Sequence, residues 1–308
     1  MECLDLSDDG LNVLGNGSPA IVGIDQLRDR SASALETALA FVEGSGDELA
    51  RLRANVLVGV ESADAGVAYL ASQQQVDGSF ASSGQVFPSA LESVLRNWMP
   101  GDKIVGCLEA ISVLGDWGRM YEPCGDLLVD YLRGVQGEDG GWGIEPSDAV
   151  ENPIRVFATG FLAGSLGRTR SARPETLTAA GAYVGGFWSV DYIRKHGWPA
   201  VAAYAHYFTN VLDEESEAAL PWCARELERG KLTSEYSAAD ILRVLFYCEA
   251  EALPGVEFDS NALLDTLLND QHVDGSFGLP DSAAVRRVGS TLDAMLFMLR
   301  LCQSQGQG

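Results

Sequence analysis

Residues 69–80 (YLASQQQVDGSF), 131–142 (YLRGVQGEDGGW) and 266–277 (TLLNDQHVDGSF) spell one phrase three times. In each copy a Leu, a Gln, an Asp-Gly pair and an aromatic residue keep the same spacing. The recurring residues are Leu70, Gln74, Asp77, Gly78 and Phe80; Leu132, Gln136, Asp139, Gly140 and Trp142; and Leu267, Gln271, Asp274, Gly275 and Phe277. Three copies in one register predict a repeat architecture in which each copy occupies an equivalent place.

Each phrase has the features of a helix end followed by a tight turn. The apolar first half is expected to end a helix. Glycine then allows a positive φ, and the Asp side chain can cap the free amides that follow. The Gln amide is expected either to stack on the aromatic residue six positions later or to hydrogen-bond a neighbouring helix end. We call each phrase a clasp, and because it recurs we expect it to hold helices together rather than to catalyse.

Between the clasps, apolar residues recur at intervals of three to four, which predicts helices. Such runs lie at 34–42, 104–114, 157–166, 241–247 and 292–301. No run alternates for long in the way a strand does. The second interval between clasps is about twice the first, so one further repeat is expected to have lost its phrase, around Trp198 to Trp222.

No linker rich in Pro or Ser divides the chain of 308 residues, and hydrophobic residues make up 46% of it, enough for a substantial core. Repeat architectures often reach this length as one domain. We therefore predict a single domain, with an N-terminal extension over residues 1–24 and a helical barrel over residues 25–303.

The chain carries 21 basic and 44 acidic residues, a net charge of -23. Such a surface repels phosphates, so neither nucleic acid nor an anionic membrane is an expected partner. The N-terminus, MECLDLSDDG, is acidic and lacks the apolar core of a signal peptide, and no stretch has the length of a transmembrane helix. A soluble, cytoplasmic protein is expected.

The six cysteines form no close pair and have no histidine at ligand spacing, so reduced, buried thiols are expected. The three histidines lie in separate segments, and neither a zinc set nor an acidic metal motif can be read from the chain. Activity without a metal or another cofactor is therefore expected.

The clasps resemble the QW-type repeat of the terpenoid cyclase and protein prenyltransferase superfamily, which includes the squalene-hopene cyclases. The resemblance covers about residues 55 to 300. It implies an all-α fold, an α/α toroid with an inner and an outer ring of helices and a deep, largely apolar cavity. It also implies an atypical cyclase of bacterial secondary metabolism, an isomerase or lyase acting on a small isoprenoid or polyene. The alternatives are another lyase or transferase on the same fold and a non-catalytic barrel that binds a lipid-like ligand or a partner.

The chain departs from the family at the catalytic motifs. It lacks the Asp-x-Asp-Asp of class II cyclases, whose middle Asp is the proton donor, and the Asp, Cys and His zinc set of the prenyltransferases. In class II cyclases that acidic motif directly precedes the Thr that opens an inner helix. Four segments match such a start, at Cys107, Thr159, Ser237 and Thr291. Only the third is preceded by an acid, and the resemblance places Glu235 at the position of the family's proton donor.

Glu235 can act as this acid if burial keeps it protonated, since desolvation raises a carboxyl pKa. The alternative is an exposed glutamate in the first turn of a helix, where the dipole favours it. Asp240, one turn further on, is the second candidate for the acid. His206 is either a base for the terminal proton loss or a core histidine.

Residues 185–209 form the densest aromatic stretch of the chain. Aromatic faces stabilise developing cations, so these side chains are expected either to line the cavity or to fill a core where a clasp is lost. Arg155 and Arg287 each lie four residues before an inner-helix start, where they would bind an anion together or pair with local acids such as Glu151 or Asp148. The predicted substrate-binding residues are Trp188, Tyr192, Trp198, Tyr204, Tyr207, Phe208, Tyr236, Arg155 and Arg287.

Overall fold

The structure, a computed structural model, describes residues 24–82, 102–143, 153–249 and 252–304. The described residues form thirteen helices and one pair of two-residue strands. The helices are α1 (Ile24–Ser45), α2 (Glu48–Leu57), α3 (Ala63–Gln73), α4 (Lys103–Asp116), α5 (Pro123–Gly134), α6 (Pro153–Gly167), α7 (Pro174–Gly185), α8 (Val190–His196), α9 (Trp198–Asn210), α10 (Ser216–Leu232), α11 (Ala238–Tyr247), α12 (Ser260–Asn269) and α13 (Ala284–Ser304).

The predicted all-α class is confirmed. The strands β1 (Ala252–Leu253) and β2 (Val256–Glu257) pair antiparallel between α11 and α12, and they are the only strands of the described residues. All but the last residue of the predicted N-terminal extension, 1–24, lies outside the described part of the chain.

Short polar residues set where several helices begin. Asp102 accepts hydrogen bonds from two backbone amides in the first turn of α4, and Asp259 does the same for α12. At α11, Ser237 and Asp240 form a capping box, in which each side chain bonds the backbone of the other. Such caps satisfy amides that have no partner inside the helix.

All three clasps form the predicted turn. The glycine φ angles are 87° at Gly78, 88° at Gly140 and 84° at Gly275. The clasp aspartates accept a hydrogen bond from the amide two residues on, at 3.1 Å for Asp77 and 3.2 Å for both Asp139 and Asp274. A Cβ on each glycine would also lie within 2.4 Å of a carbonyl oxygen of a neighbouring helix. Both the backbone angle and the close approach therefore favour glycine.

Each clasp glutamine bonds a neighbouring helix, which is one of the two predicted alternatives. Its Nε2 donates to the carbonyl of the clasp glycine, four residues later, and to a carbonyl of a neighbouring helix. The second acceptors, all at 2.9 Å, are Cys124 of α5 for Gln74, Thr176 of α7 for Gln136 and Ala34 of α1 for Gln271. The clasp therefore ties a turn to a helix that is distant in sequence.

The larger helices fall into two sets by their contacts. Helices α4, α6, α9, α11, α13 and α2 contact one another in that order, and we call them the core helices. Arg53 of α2 also forms an ion pair with Asp116 of α4, which brings the two ends of the series together. Helices α1, α3, α5, α7, α10 and α12 lie against the core helices and are called the flanking helices. An α/α toroid requires such a series of contacts, but the toroid itself stays a prediction.

The long interval between the second and third clasps holds three core helices, α6, α9 and α11, and the flanking helices α7 and α10 that connect them. We call the connection from a flanking helix to the following core helix a junction. Two junctions in this interval lack a clasp, from α7 to α9 and from α10 to α11, so the expectation of a single lost repeat was wrong. At the first junction the Tyr204 hydroxyl donates to the Val184 carbonyl at 2.9 Å, much as the Trp142 Nε1 donates to the Leu132 carbonyl at 2.7 Å in the second clasp. At the second junction Tyr236 packs tightly on α10 at a glycine.

Candidate active site

The described residues line a cavity at each end of the core helices. The N-terminal cavity, of about 480 Å³, is lined by residues at the starts of α9 and α11, among them Trp198 and Asp240. The C-terminal cavity, of about 220 Å³, is lined by residues near the ends of α4, α6, α9 and α11, such as Asp116, Ser165 and His206. The core helices therefore present their N-terminal ends to one cavity and their C-terminal ends to the other.

A network of four charges lies between the two cavities, with Arg53, Arg243 and Asp293 buried and Asp116 partly buried. Arg243 lines both cavities and forms an ion pair with Asp293, which lines the N-terminal cavity. Arg53 lies 3.5 Å from Asp293 and pairs with Asp116, which lines the C-terminal cavity. Burial lowers the pKa of Arg243, although an arginine this well paired stays charged. Two separate cavities stand where the resemblance implied one deep, largely apolar cavity.

Asp240 is the predicted catalytic acid that combines partial burial with a position in the wall of a cavity. It is partly buried in the first turn of α11 and lines the N-terminal cavity. Its Oδ2 accepts hydrogen bonds from the Ser237 amide at 2.9 Å and from the Ser237 hydroxyl at 2.7 Å, while Oδ1 accepts none from any described residue. Burial raises the pKa of Asp240, although both bonds from Ser237 act to lower it.

Glu235 also lines the N-terminal cavity, but its surroundings differ. It lies in the loop between α10 and α11, its side chain is 43% exposed, and its Oε2 accepts a hydrogen bond from the Arg229 guanidinium at 2.8 Å. Its carboxyl group thus contacts a guanidinium group and is open to solvent. Its position therefore resembles the exposed alternative more than the buried acid.

His206 lies at the other end of the molecule and lines the C-terminal cavity. It is 1% exposed; its Nδ1 lies 2.7 Å from the Tyr247 carbonyl and its Nε2 lies 3.0 Å from the Ser165 hydroxyl. Burial lowers the pKa of His206 to about 4, so the ring is neutral near pH 7. With its Nδ1 donating to the carbonyl, its Nε2 accepts from Ser165. The structure does not bring His206 together with Asp240.

The aromatic residues of 185–209 pack mainly on one another. The Trp188 ring meets the rings of Tyr204, Phe208 and Trp222 edge-on, with centroids 4.9 to 5.9 Å apart. Trp198 alone of the predicted aromatic residues lines the N-terminal cavity, and its Nε1 donates to the Asp240 carbonyl at 2.8 Å.

The remaining predicted aromatic residues are buried and line neither of these two cavities. They are Tyr192, Tyr204, Tyr207, Phe208 and Tyr236. The Tyr207 hydroxyl donates to Asp213 at 2.9 Å, and the Tyr192 ring lies between Phe187 and His196. This packing fits the second alternative, in which large side chains fill the core at a junction without a clasp.

Arg155 and Arg287 each hold a clasp aspartate and do not meet each other. Arg155 binds both carboxylate oxygens of Asp139, at 2.5 and 2.6 Å, and Arg287 lies 3.0 Å from Asp274. Lys103 plays the same part in the first clasp, 2.6 Å from Asp77. The alternative partners Glu151 and Asp148 lie outside the described residues. Each clasp thus has one basic partner from the first turn of the next core helix.

The third clasp supplies much of the N-terminal cavity, which the sequence alone did not indicate. Leu267, Asp270, His272 and Phe277 line it from residues 266–277, and burial raises the pKa of Asp270. The Phe277 amide donates to the Thr291 hydroxyl at 3.0 Å, which fixes the clasp to α13. One signal was present, because Asp270 is an acid that the first two clasps lack at this position.

Two further findings bear on binding. Within 24–82, 102–143, 153–249 and 252–304, no three His, Cys, Asp or Glu side chains are grouped as a metal site would require. None of the helices in those ranges combines the length and apolar character needed to cross a membrane.

No protein-family model matches the chain, and no curated protein matches it. The chain is similar in structure to a protein from Actinoplanes, known from a crystal structure, with a TM-score of 0.51 and 15% sequence identity. The similarity covers 89% of this chain and 99% of the other. At this identity the likeness concerns the fold alone, so the two chains share a fold over most of their lengths.

Proposed function

We propose that this chain is an atypical terpene cyclase-like enzyme that cyclises an isoprenoid or polyene in the N-terminal cavity, with Asp240 as the proton donor. The observation that supports this most is the raised pKa of a carboxyl group whose Oδ1 is free of hydrogen bonds from described residues and which lines a cavity. Perturbed carboxyl groups in clefts are common at catalytic sites.

The proposed reaction balances without an added redox partner. Protonated Asp240 gives its proton to a terminal alkene or epoxide, the resulting cation closes on internal double bonds, and loss of a proton ends the reaction. The product is then an isomer of the substrate. His206 lies at the other cavity, so Asp270 is the better candidate for accepting the final proton.

The lining of the N-terminal cavity suits such a substrate. Trp198, Phe277 and Phe297 supply aromatic faces, and Leu267 and Leu279 supply aliphatic surface. Aromatic faces stabilise cations by about 0.5 to 2 kcal/mol each, depending on how dry the site is. The volume of about 480 Å³ lies within the range usual for small-molecule sites, roughly 300 to 1,000 Å³.

The second candidate function is binding without catalysis. The capping box that holds Asp240 is a common structural device, and an Asp in this role stabilises a helix without any chemistry. The ion pair of Arg243 and Asp293 also lines the N-terminal cavity, and such a charged lining suits a ligand with a polar group. Under this reading the N-terminal cavity holds a lipid-like molecule that leaves unchanged.

Asp240→Asn and Glu235→Gln form a matched pair of variants that separates these functions. Asn keeps an acceptor for the Ser237 amide, so the helix cap survives while the transferable proton is lost. Each purified protein is incubated with farnesol, geranylgeraniol and squalene, and isomers of unchanged mass are sought by gas chromatography with mass spectrometry. We expect Asp240→Asn to lower turnover by about 100- to 10,000-fold, the usual range for general acid catalysis, and Glu235→Gln to leave it nearly unchanged.

The pair has three informative outcomes besides the expected one. Full turnover in Asp240→Asn would refute the assigned acid, and a large loss in Glu235→Gln alone would move the role to Glu235. If the native protein binds these compounds and returns them unchanged, the binding function replaces the cyclase.

A further inference from the structure

The C-terminal cavity adjoins a further cavity of about 440 Å³, and Met120, Tyr121 and Arg168 line both of them. We call the two together the basic groove. Its inner part has apolar surface from Phe161, Phe246 and Leu296 beside the charged Arg243 and Arg300. Its outer part runs along the loop that follows α6. The basic groove therefore offers both apolar surface and positive charge.

Arginines surround this groove in a chain whose acids outnumber its bases. Arg168, Arg170, Arg243 and Arg300 line it, against Asp116 and Asp126. Arg168 pairs with Glu249 and Arg243 pairs with Asp293, but Arg170 and Arg300 form no ion pair with any described residue. Arg170 is exposed, and the Arg300 guanidinium lies 5.1 Å from the centroid of the Phe246 ring.

A buried group adds a second observation. Arg243 is 4% exposed, lines the groove, and has an Nε without a hydrogen-bond partner among the described residues. Buried polar groups in proteins almost always have a partner, so a polar ligand atom in either cavity that Arg243 lines could complete its hydrogen bonds.

Helix dipoles account for only part of this charge. The C-terminal ends of the core helices carry partial negative charge, which favours nearby cations such as Arg168, the residue just after α6. Arg170 lies in a loop, and Arg300 lies more than one turn before the end of α13. The dipole effect fades within one turn, so it does not explain these two arginines.

We infer that the basic groove binds an amphiphilic ligand through an oxyanion, a phosphate or carboxylate head group, with its apolar part against Phe161, Phe246 and Leu296. Arg170 and Arg300 supply the charge that an oxyanion requires, because guanidinium groups bind such anions through paired hydrogen bonds. This site is separate from the N-terminal cavity and does not depend on the chemistry proposed there.

The test is calorimetric titration of the full chain with three probes: octyl phosphate, inorganic phosphate and octanol. Arg170→Gln and Arg300→Gln each remove one charge from the groove, and Arg225→Gln is the matched control. Arg225 is exposed on α10 and likewise forms no ion pair with any described residue. We expect octyl phosphate to bind, and each groove variant to weaken its Kd at least fivefold while Arg225→Gln changes it less than twofold.

The probes distinguish the possible ligands. Octyl phosphate binding more tightly than inorganic phosphate supports an amphiphile, and equal binding of the two supports a free oxyanion at the same site. The inference is overturned if octanol binds as well as octyl phosphate, if neither phosphate binds, or if the groove variants behave like Arg225→Gln. Circular dichroism of each variant checks the fold, since Arg170 and Arg225 are exposed but Arg300 is half-buried against Phe246.

Discussion

The N-terminal cavity and the basic groove face opposite ends of the same core helices and carry opposite charge. Glu235, Asp240 and Asp270 line the N-terminal cavity, whereas Arg168, Arg170 and Arg300 line the groove. Helix dipoles favour part of this distribution, namely acids at the N-terminal ends and Arg168 just after α6, but they do not account for Arg170 and Arg300. The difference teaches that one bundle can hold two sites of unlike chemistry, provided that something separates them.

The network of Arg53, Asp116, Arg243 and Asp293 lies between the two sites, and we call it the separator. It places two positive and two negative charges in the core, where each needs its partner. Such networks often stabilise less than an apolar core would, which favours a role other than stability for this one. We expect this role to be keeping the acidic cavity and the basic groove apart.

Asp293→Asn should give the largest effect, because it breaks the separator at its centre. It leaves Arg53 and Arg243 buried near each other without the carboxylate between them, and loss of one partner of a buried pair costs about 3 to 5 kcal/mol. The free energy of unfolding from denaturant titration measures this.

Arg243→Met is the control for that substitution. It should cost less, because Asp293 keeps Arg53 as a partner at 3.5 Å. Equal losses in the two variants, or a loss below about 1 kcal/mol in Asp293→Asn, would contradict the role of the network.

Gln271→Ala and Gln136→Ala should give a smaller, paired effect. Each removes hydrogen bonds from a clasp to two carbonyls, which we expect to cost about 1 to 2 kcal/mol of unfolding free energy. Only the third clasp lines the N-terminal cavity. Turnover or ligand binding there should therefore fall in Gln271→Ala and stay unchanged in Gln136→Ala. Equal functional effects would mean that the clasps act only through overall stability.

The clasps could be predicted from the sequence because their turn is local. The positive φ of Gly78 and the amide bond to Asp77 involve residues within a few positions. The partners of the glutamines could not, since Ala34 lies at the far end of the chain from Gln271. The basic partners of the clasp aspartates could be predicted only in part. Arg155 and Arg287 recur at one offset from a core-helix start, but the sequence does not show which acid each one binds.

The candidate site was predicted less fully than the fold. Asp240 was singled out from its position along α11, and burial then raises its pKa. The separator was not foreseen, although Arg243 and Asp293 each stand in an otherwise apolar run. A charge in such a run is a usable signal, because it must find a partner in the core. Which partner it finds depends on packing between helices.

The pH dependence of stability should give the smallest effect and distinguish two kinds of acid. The hydrogen bond from Lys103 and two from Ser79 lower the pKa of Asp77 to about 2, and bonds from Arg155 lower that of Asp139. Each contributes stability above the ordinary aspartate pKa of about 4, which is lost as the pH falls toward the folded value. For Asp240, with its raised pKa, the sign reverses, and stability is lost as the pH rises through that pKa.

Denaturant titrations across pH 2 to about 6 measure these slopes, a window set by the ordinary aspartate pKa. Asp139→Asn should flatten the fall in unfolding free energy below about pH 4, whereas Asp240→Asn should flatten only the opposite slope above it. Identical profiles for the two variants would show that the two acids do not differ in the way their surroundings imply.

Solvent deuterium tests the central claim most directly. The Asp240 carboxyl exchanges its proton with water, so cyclisation of an alkene substrate started by this acid in D₂O must place one non-exchangeable deuterium on the carbon that is first protonated. After work-up in H₂O, we expect a product one mass unit heavier from the native protein, formed at an unchanged rate by Glu235→Gln and not detectably by Asp240→Asn. A cyclised product that carries no deuterium, or one that Asp240→Asn forms as fast as the native protein, would contradict the claim.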